Sequence, residues 1–219
     1  MLTIRQFRKA YNDQPILIIP ELNFTPGLHW LKGQNGSGKT TLFRSIAGLL
    51  PHEGEMILNT QYNSRKNPVE YRLRVNYSEA EPLYPEFLTA WELIRWVGKT
   101  KRAPAGQMEN LIQVFGIQSF LLNPVGTYSS GMLKKTSLIL AFLGQPQLIL
   151  LDEPFVTLDE ATVQRVINLI RAEREKGTSF LLSTHQDVNF SGLIVDSIWH
   201  IQHQTISPLL NEQPTDRSK

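Results

Sequence analysis

A glycine-rich segment carries the clearest chemistry in this sequence. Residues 33–40 read GQNGSGKT and fit the pattern G-x-x-x-x-G-K-[ST]. Glycines let successive backbone N–H groups turn toward phosphate oxygens, and a helix that follows adds the positive end of its dipole. The sequence therefore predicts a phosphate-binding loop whose nucleotide contacts are Gly33, Gln34, Asn35, Gly36, Ser37, Gly38, Lys39, Thr40 and Thr41.

The flanks of this loop suit that chemistry. An apolar run at Leu28 to Leu31 precedes it, and a helical pattern from Thr41 to Leu49 follows. In such a loop the Lys39 ammonium would meet the β and γ phosphates, and the Thr40 hydroxyl would ligate Mg²⁺. We therefore expect ATP and Mg²⁺ as the ligands.

Two carboxylates follow a second apolar run. Leu148 to Leu151 leads directly into Asp152 and Glu153. Ligands of open α/β sheets bind at the carboxyl ends of the strands, where this run would deliver both acids. Asp152 would hold Mg²⁺ through water, and Glu153 would polarise the water that attacks the γ phosphate. Alone, such a strand end is commonly structural, but the phosphate loop favours the catalytic interpretation.

The order of the motifs resembles the nucleotide-binding subunits of ABC transporters, from about Tyr11 to His185. The box LDEP at 151–154 is followed by VTLD at 156–159, which resembles the D-loop of that family, and by STH at 183–185, which is similar to its switch histidine. YSSGM at 128–132 opens a helix at the place of the signature LSGGQ. That signature separates this family from other P-loop proteins.

The resemblance implies roles for further residues. Tyr11 would stack on adenine, and His185 would join Lys39 and Glu153 as a catalytic residue that contacts the γ phosphate. Two such domains, either a homodimer or a pair of related ATPases, would meet head to tail. Ser129 and Gly131 of one would then complete the nucleotide site of the other, beside a separate transmembrane permease.

The sequence departs from the family pattern at two places. The signature has Tyr128, Ser130 and Met132 in place of leucine, glycine and glutamine, and a Cβ at Ser130 would crowd the γ phosphate. The Q-loop is expected after the strand Arg74 to Tyr77, where the sequence reads SEAEP and has no glutamine. Glu79 or Glu81 would stand in for it, and the sequence does not choose between them.

Apolar runs and helical periodicity supply the elements that must position these residues. Besides the two runs above, Ile16 to Ile19 and Ser179 to Leu182 are typical of strands buried on both faces, as in parallel sheets. A helical pattern follows Asp159, and Gly177 stands where a glycine commonly ends a helix.

Between about residues 81 and 144 the pattern changes to helices, at Ala90 to Val97, Gln107 to Phe115 and Met132 to Leu143. The predicted fold is α/β, a P-loop NTPase with a RecA-like core, an N-terminal antiparallel β edge and an inserted helical lobe. We expect one ABC ATPase domain over residues 1–219. Its core would be about 1–80 and 145–210, its lobe about 81–144, and residues 211–219 a disordered tail.

Composition excludes several classes of function. A net charge of +2 gives no strong field to hold nucleic acid. The absence of cysteine excludes disulfides, thiolate metal sites and cysteine nucleophiles. No segment has the apolar length of a spanning helix or the pattern of a signal peptide, so we expect neither.

The leading hypothesis is an ATP-hydrolysing subunit that powers an ABC transporter. Short chains with an LDEPF box resemble exporter subunits more than importer subunits, and we expect a cytoplasmic location, peripheral on the inner face of the cell membrane. The alternative from the same family is a soluble ABC ATPase without transport. A P-loop kinase or GTPase would leave residues 128–132 and the loop at Asp159 unexplained.

Overall fold

The computed structural model describes residues 1–184 and 193–209. The strands are β1 (Leu2–Tyr11), β2 (Gln14–Phe24), β3 (Leu28–Lys32), β4 (Glu53–Leu58), β5 (Tyr62–Asn63), β6 (Val75–Ser78), β7 (Leu148–Asp152), β8 (Ser179–Ser183), β9 (Ser197–Gln202) and β10 (Thr205–Pro208). The helices are α1 (Lys39–Ile46), α2 (Pro68–Arg74), α3 (Ala90–Thr100), α4 (Gln107–Phe115), α5 (Ser130–Phe142) and α6 (Glu160–Glu175), with a short 3₁₀ turn at Val125–Thr127.

The strands form two sheets. One is antiparallel with the order β2-β1-β4-β5, and the other has the order β10-β9-β3-β8-β7-β6. In the second sheet the neighbours from β9 to β6 pair in parallel, which brings the carboxyl ends of β3, β6, β7 and β8 to one edge. The predicted α/β architecture with an antiparallel N-terminal sheet is confirmed.

Strand β7 shows why its apolar run has no alternation. All of its residues are buried. Leu148 and Leu150 pack into the cluster between the two sheets, whereas Ile149 and Leu151 pack into the cluster beneath the helices on the other face. Burial on both faces favours an apolar residue at each of the positions 148–151, and this identifies the strand that leads into the two acids.

The prediction that Ile16 to Ile19 form a strand buried on both faces, as in a parallel sheet, is wrong. The segment lies in β2, which pairs antiparallel with β1, and not in the parallel sheet. Leu17 and Ile19 are buried, but Ile18 is 43% exposed. The run is therefore buried on one face only, and its unbroken apolar character concealed the two-residue period of an antiparallel strand.

Between the described strands β6 and β7 the fold is helical, as predicted for the lobe. Helices α3, α4, α5 and α6 share one buried cluster with the face of the parallel sheet that carries Ile149 and Leu151. Helix α3 begins at a capping box, in which the Thr89 hydroxyl accepts from the Glu92 N–H. The subdivision of the chain into core and lobe at 80/81 and 144/145 stays a prediction.

Candidate nucleotide site

The loop between β3 and α1 has the backbone that its glycines require. Gly36 has φ 78° and Gly38 has φ 107°, both in the left-handed region that favours glycine. Gly38 is the N-cap of α1, and no side chain caps this helix. The first-turn N–H groups therefore point to a site where an anion would supply the missing acceptor.

Lys39 is held at the centre of this loop. Its Nζ donates to the Gly33 carbonyl at 2.6 Å and to the Gln34 carbonyl at 3.1 Å. Burial lowers the pKa of the Lys39 ammonium, and the charges of Glu153 and Asp152 oppose that shift. The cation thus lies beside both acids of the second motif.

Asp152 is buried at the end of β7 and accepts hydrogen bonds from three hydroxyl groups. Thr40 Oγ1 donates to Oδ2 at 2.6 Å, Tyr77 OH donates to Oδ2 at 3.2 Å, and Ser183 Oγ donates to Oδ1. Burial raises the pKa of the Tyr77 phenol, and the Asp152 charge adds to the rise. These donors orient the carboxylate that was predicted to hold Mg²⁺.

The sequence interpretation missed Tyr77 and Ser183. They stand at the carboxyl ends of β6 and β8, which flank β7, and Ser183 pairs with Asp152 itself. The signal was available, because polar residues that end neighbouring parallel strands meet at one sheet edge.

Glu153 leaves the strand with an unusual backbone. Its φ is 47°, a left-handed conformation that costs free energy for a non-glycine residue. Its N–H donates to the Ser183 carbonyl at 3.1 Å, which stabilises the turn. In this conformation Glu153 lines the same cleft as Lys39.

That cleft has a volume of about 470 Å³. It gathers most of the predicted residues: Tyr11, Asn35, Gly36, Gly38, Lys39, Thr40, Thr41, Asp152 and Glu153. Gly33, Gln34 and Ser37 form the body of the loop, where a Cβ on Gly33 would lie 2.6 Å from Ser37 Oγ. One chain therefore assembles the phosphate loop, both acids and Tyr11.

Tyr11 is the last residue of β1 and lines the cleft next to the turn of the β1–β2 hairpin. Asn12 and Asp13 form this turn with φ values of 47° and 62°, a conformation that these residue types tolerate. Tyr11 is 47% exposed, and Lys9 Nζ lies 4.7 Å from the centroid of its ring. An exposed ring face at the cleft is what stacking on a base requires.

The structure separates the two acids of the segment that replaces the Q-loop. Glu81 lines the nucleotide cleft. Glu79 lines a neighbouring cavity of about 260 Å³ with Tyr77, Leu83 and Tyr84. Of the two alternatives that the sequence left open, Glu81 is the residue beside the phosphate loop.

The signature residues lie elsewhere. Ser129 is exposed at the N-cap of α5, where its hydroxyl accepts from the Met132 N–H at 3.3 Å. Neither Ser129 nor Gly131 lines the cleft of Lys39. A Cβ on Gly131 would lie 2.9 Å from the Thr157 carbonyl oxygen, so this glycine lets the D-loop approach the helix.

Helix α5 is joined to the D-loop a second time by Lys135, whose Nζ lies 3.2 Å from Asp159 Oδ2. The Thr162 N–H and hydroxyl, with Lys135, lower the pKa of Asp159 to about 2.

His185, the predicted switch histidine, lies outside the described residues, as does the segment 211–219.

Comparison with known proteins agrees with this geometry. Residues 22–156 match the family model described as ABC transporter. The cytochrome c biogenesis ATP-binding export protein CcmA of Legionella pneumophila (strain Lens) is 33% identical over 192 residues, which span 86% of this chain and 94% of CcmA. The ABC-type transporter ATP-binding protein EcsA of Bacillus subtilis (strain 168) is 29% identical, over 84% of this chain and 77% of EcsA.

A solved structure of the ATP-binding subunit of an ABC transporter superposes with a TM-score of 0.83 at 26% identity, over 95% of this chain and 90% of that one. The chain belongs to the ABC transporter family, as its ATP-binding and ATP-hydrolysing subunit. The predicted family, fold and ATPase activity are confirmed, and the predicted partners, a second cassette and a membrane permease, agree with this membership. Within the described residues, no helix is both long and apolar enough to cross a membrane.

Proposed function

We propose that this subunit hydrolyses MgATP as half of a head-to-tail pair and thereby drives export through a separate membrane-spanning partner. The observation that carries the proposal is the division of the site on one chain. The cleft holds Lys39 and the two acids, whereas Ser129 is exposed on another part of the surface. A second cassette must therefore bring its signature helix to complete each site.

Thr40 and Asp152 would hold Mg²⁺. Their oxygens are hard ligands that already lie 2.6 Å apart, and Mg²⁺ characteristically combines one or two protein ligands with phosphate oxygens. When bound, the ion would neutralise charge on the phosphates. Glu81 is the further oxygen ligand that we propose at this position, since it lines the same cleft.

The remaining chemistry belongs to side chains of the cleft. The Lys39 ammonium and the α1 N-terminus stabilise negative charge on the phosphates. Glu153 accepts the proton of the attacking water at its carboxylate. Tyr11 holds the adenine by stacking, so the contact with the base and the catalytic acid Glu153 belong to different elements.

Exposed apolar side chains mark where the membrane partner would dock. Leu83 is 90% exposed and Phe87 is 79% exposed, both in the segment between β6 and α3 that follows Glu81. Leu83 borders the cavity between α1, β6 and the lobe. Such a group of exposed apolar residues favours a protein interface, and its place next to Glu81 would connect docking to hydrolysis.

Export and a position on the inner face of the cell membrane are proposed from the relative named as an export protein. The same relative favours the transport role over the soluble alternative. The cargo would be selected by the partner.

Glu153→Gln tests the composite site. This variant keeps the size of the side chain but removes the base, so ATP binds and closed dimers accumulate at twice the monomer mass in light scattering. Adding Ser129→Arg restores the monomer, because the arginine blocks the shared site. A Glu153→Gln protein that stays monomeric with saturating ATP, both alone and with its membrane partner, refutes the head-to-tail pair.

A further inference from the structure

Lys134 is a buried lysine whose hydrogen bonds converge on the nucleotide cleft. It lies on α5, one turn after the signature residues, and is 1% exposed. Its Nζ donates to the carbonyl oxygens of Glu79 at 2.7 Å, Ala80 at 2.7 Å and Asp152 at 3.3 Å. An ammonium has three donors, so these carbonyls use all of them.

Packing alone does not explain a lysine at this position. Burying an ammonium costs free energy, and lysine is almost never fully buried without partners. Burial lowers the pKa of Lys134 to about 8, against the opposing charges of Asp152 and Glu153. A methionine of similar length would fill the space without that cost, so the donors of the ammonium are what the site requires.

The three acceptors belong to two segments that end in the cleft. Ala80 is followed by Glu81, and Asp152 is followed by Glu153, and all four residues line the cleft. Lys134 joins these segments through their backbone, at the last position before each acid. The separation of Glu81 from Glu153 is therefore set by a side chain of the signature helix.

We propose that Lys134 is a positioning residue for hydrolysis, which holds Glu81 and Glu153 in their relative places from α5. The inference rests on the roles proposed above for these two acids. Nucleotide affinity comes from Tyr11, Lys39 and the loop N–H groups, none of which Lys134 contacts. Loss of Lys134 should therefore reduce turnover and leave affinity nearly unchanged.

Lys134→Met is the first variant, and Lys101→Met is its matched control. Lys101 is also largely buried, donates to the Arg72 and Val75 carbonyls, and has a pKa lowered to about 8, but it does not line the cleft. We expect Lys134→Met to lower kcat roughly 10- to 100-fold, the loss that a misplacement of about 1 Å produces. KM for ATP stays within about threefold of the wild-type value. Lys101→Met keeps both constants, and Lys134→Arg, which retains charge and donors, recovers most of kcat.

A double-mutant cycle tests whether Lys134 acts through Glu81. In a Glu81→Gln background, Lys134→Met should cost clearly less in kcat than it does in the wild type. Hydrogen exchange should rise in residues 79–82 of Lys134→Met and not of Lys101→Met. Fully additive losses, or equal losses in the two methionine variants, overturn the proposal.

Native folding with wild-type kcat in Lys134→Met also overturns it. Should that variant not fold, Lys134→Gln replaces it, since its amide keeps two donors, and wild-type kcat together with faster exchange at 79–82 is then the refuting result. Failure of the proposed function looks different. It is seen as a wild-type protein that does not hydrolyse MgATP or a Lys39→Ala protein that still does.

Discussion

The Thr40 hydroxyl donates a 2.6 Å hydrogen bond to Asp152 Oδ2, across 112 residues of sequence. It joins the phosphate loop at the start of α1 to the end of β7. The same Asp152 oxygen accepts from Tyr77 OH at 3.2 Å, so the proposed metal ligand is oriented from two other elements. The two motifs that were found separately in the sequence thus form one structural unit.

Replacing Thr40 with valine removes this hydroxyl and keeps the shape of the side chain. We expect the Mg²⁺ concentration for half-maximal ATPase activity to rise about tenfold or more, since a proposed metal ligand and one of the hydrogen-bond donors to Asp152 are lost together. ATP binding measured in EDTA should change little. Thr40→Ser, which keeps the hydroxyl, is the control, and an unchanged Mg²⁺ requirement in Thr40→Val would remove Thr40 from the metal site.

Glu81→Gln tests which acid replaces the Q-loop glutamine. The carboxylate lines the cleft, so loss of its charge should raise the Mg²⁺ concentration for half-maximal ATPase activity and change kcat, while ATP affinity without metal stays the same. Glu79→Gln is the matched control two residues earlier, in the neighbouring cavity. If Glu79→Gln shifts the Mg²⁺ titration and Glu81→Gln does not, the assignment is reversed.

The cleft was largely predictable because its residues are close in sequence to each motif. Lys39 and Thr40 follow the glycines directly. Asp152 ends a strand whose burial on both faces is visible as an apolar run, and Glu153 follows it. Contacts from other elements were not predictable in the same way. Lys134 meets Glu79 and Ala80 over more than 50 residues, and only the fold brings them together.

Two features of the structure could not be predicted from the local sequence. Helix α2 has only seven residues and begins with Pro68, so it is too short for helical periodicity to show. The choice between Glu79 and Glu81 depends on how the chain turns after β6, and both acids have the same chemistry. The path of residues 78–82, which puts Glu81 in the nucleotide cleft and Glu79 in the neighbouring cavity, is a tertiary property that the sequence pattern does not contain.

Leu83→Glu combined with Phe87→Glu tests the docking surface. These side chains are highly exposed, so the double variant should fold and keep the ATPase activity of the isolated subunit. Its recovery in the membrane fraction of its own cells should fall severalfold, because two charges are placed in an apolar interface. Ile194→Glu, at a side chain that is 75% exposed in the segment between β8 and β9, is the control. Equal membrane recovery of the double variant and the wild type would place the partner elsewhere.

Gly131→Ala tests how the signature helix and the D-loop share space. A Cβ here would lie 2.9 Å from the Thr157 carbonyl oxygen. This distance is shorter than a normal contact between a Cβ and a backbone oxygen, so the D-loop must shift. Alanine is also the better helix former, by up to about 1 kcal/mol, which offsets part of the cost of that shift in stability. We therefore expect a folded protein with a melting temperature within a few degrees of the wild type.

The displaced D-loop should weaken the composite site and leave the home cleft intact, because neither Gly131 nor Thr157 lines that cleft. Nucleotide affinity of the monomer should be retained. In a Glu153→Gln background, ATP-dependent dimers should be much reduced, as measured by light scattering. Ser130→Ala, at the exposed neighbouring position, controls for any change at the start of α5. Dimers of Gly131→Ala/Glu153→Gln as abundant as those of Glu153→Gln alone would show that the close approach of Gly131 to Thr157 serves local packing, and that the pair does not close through it.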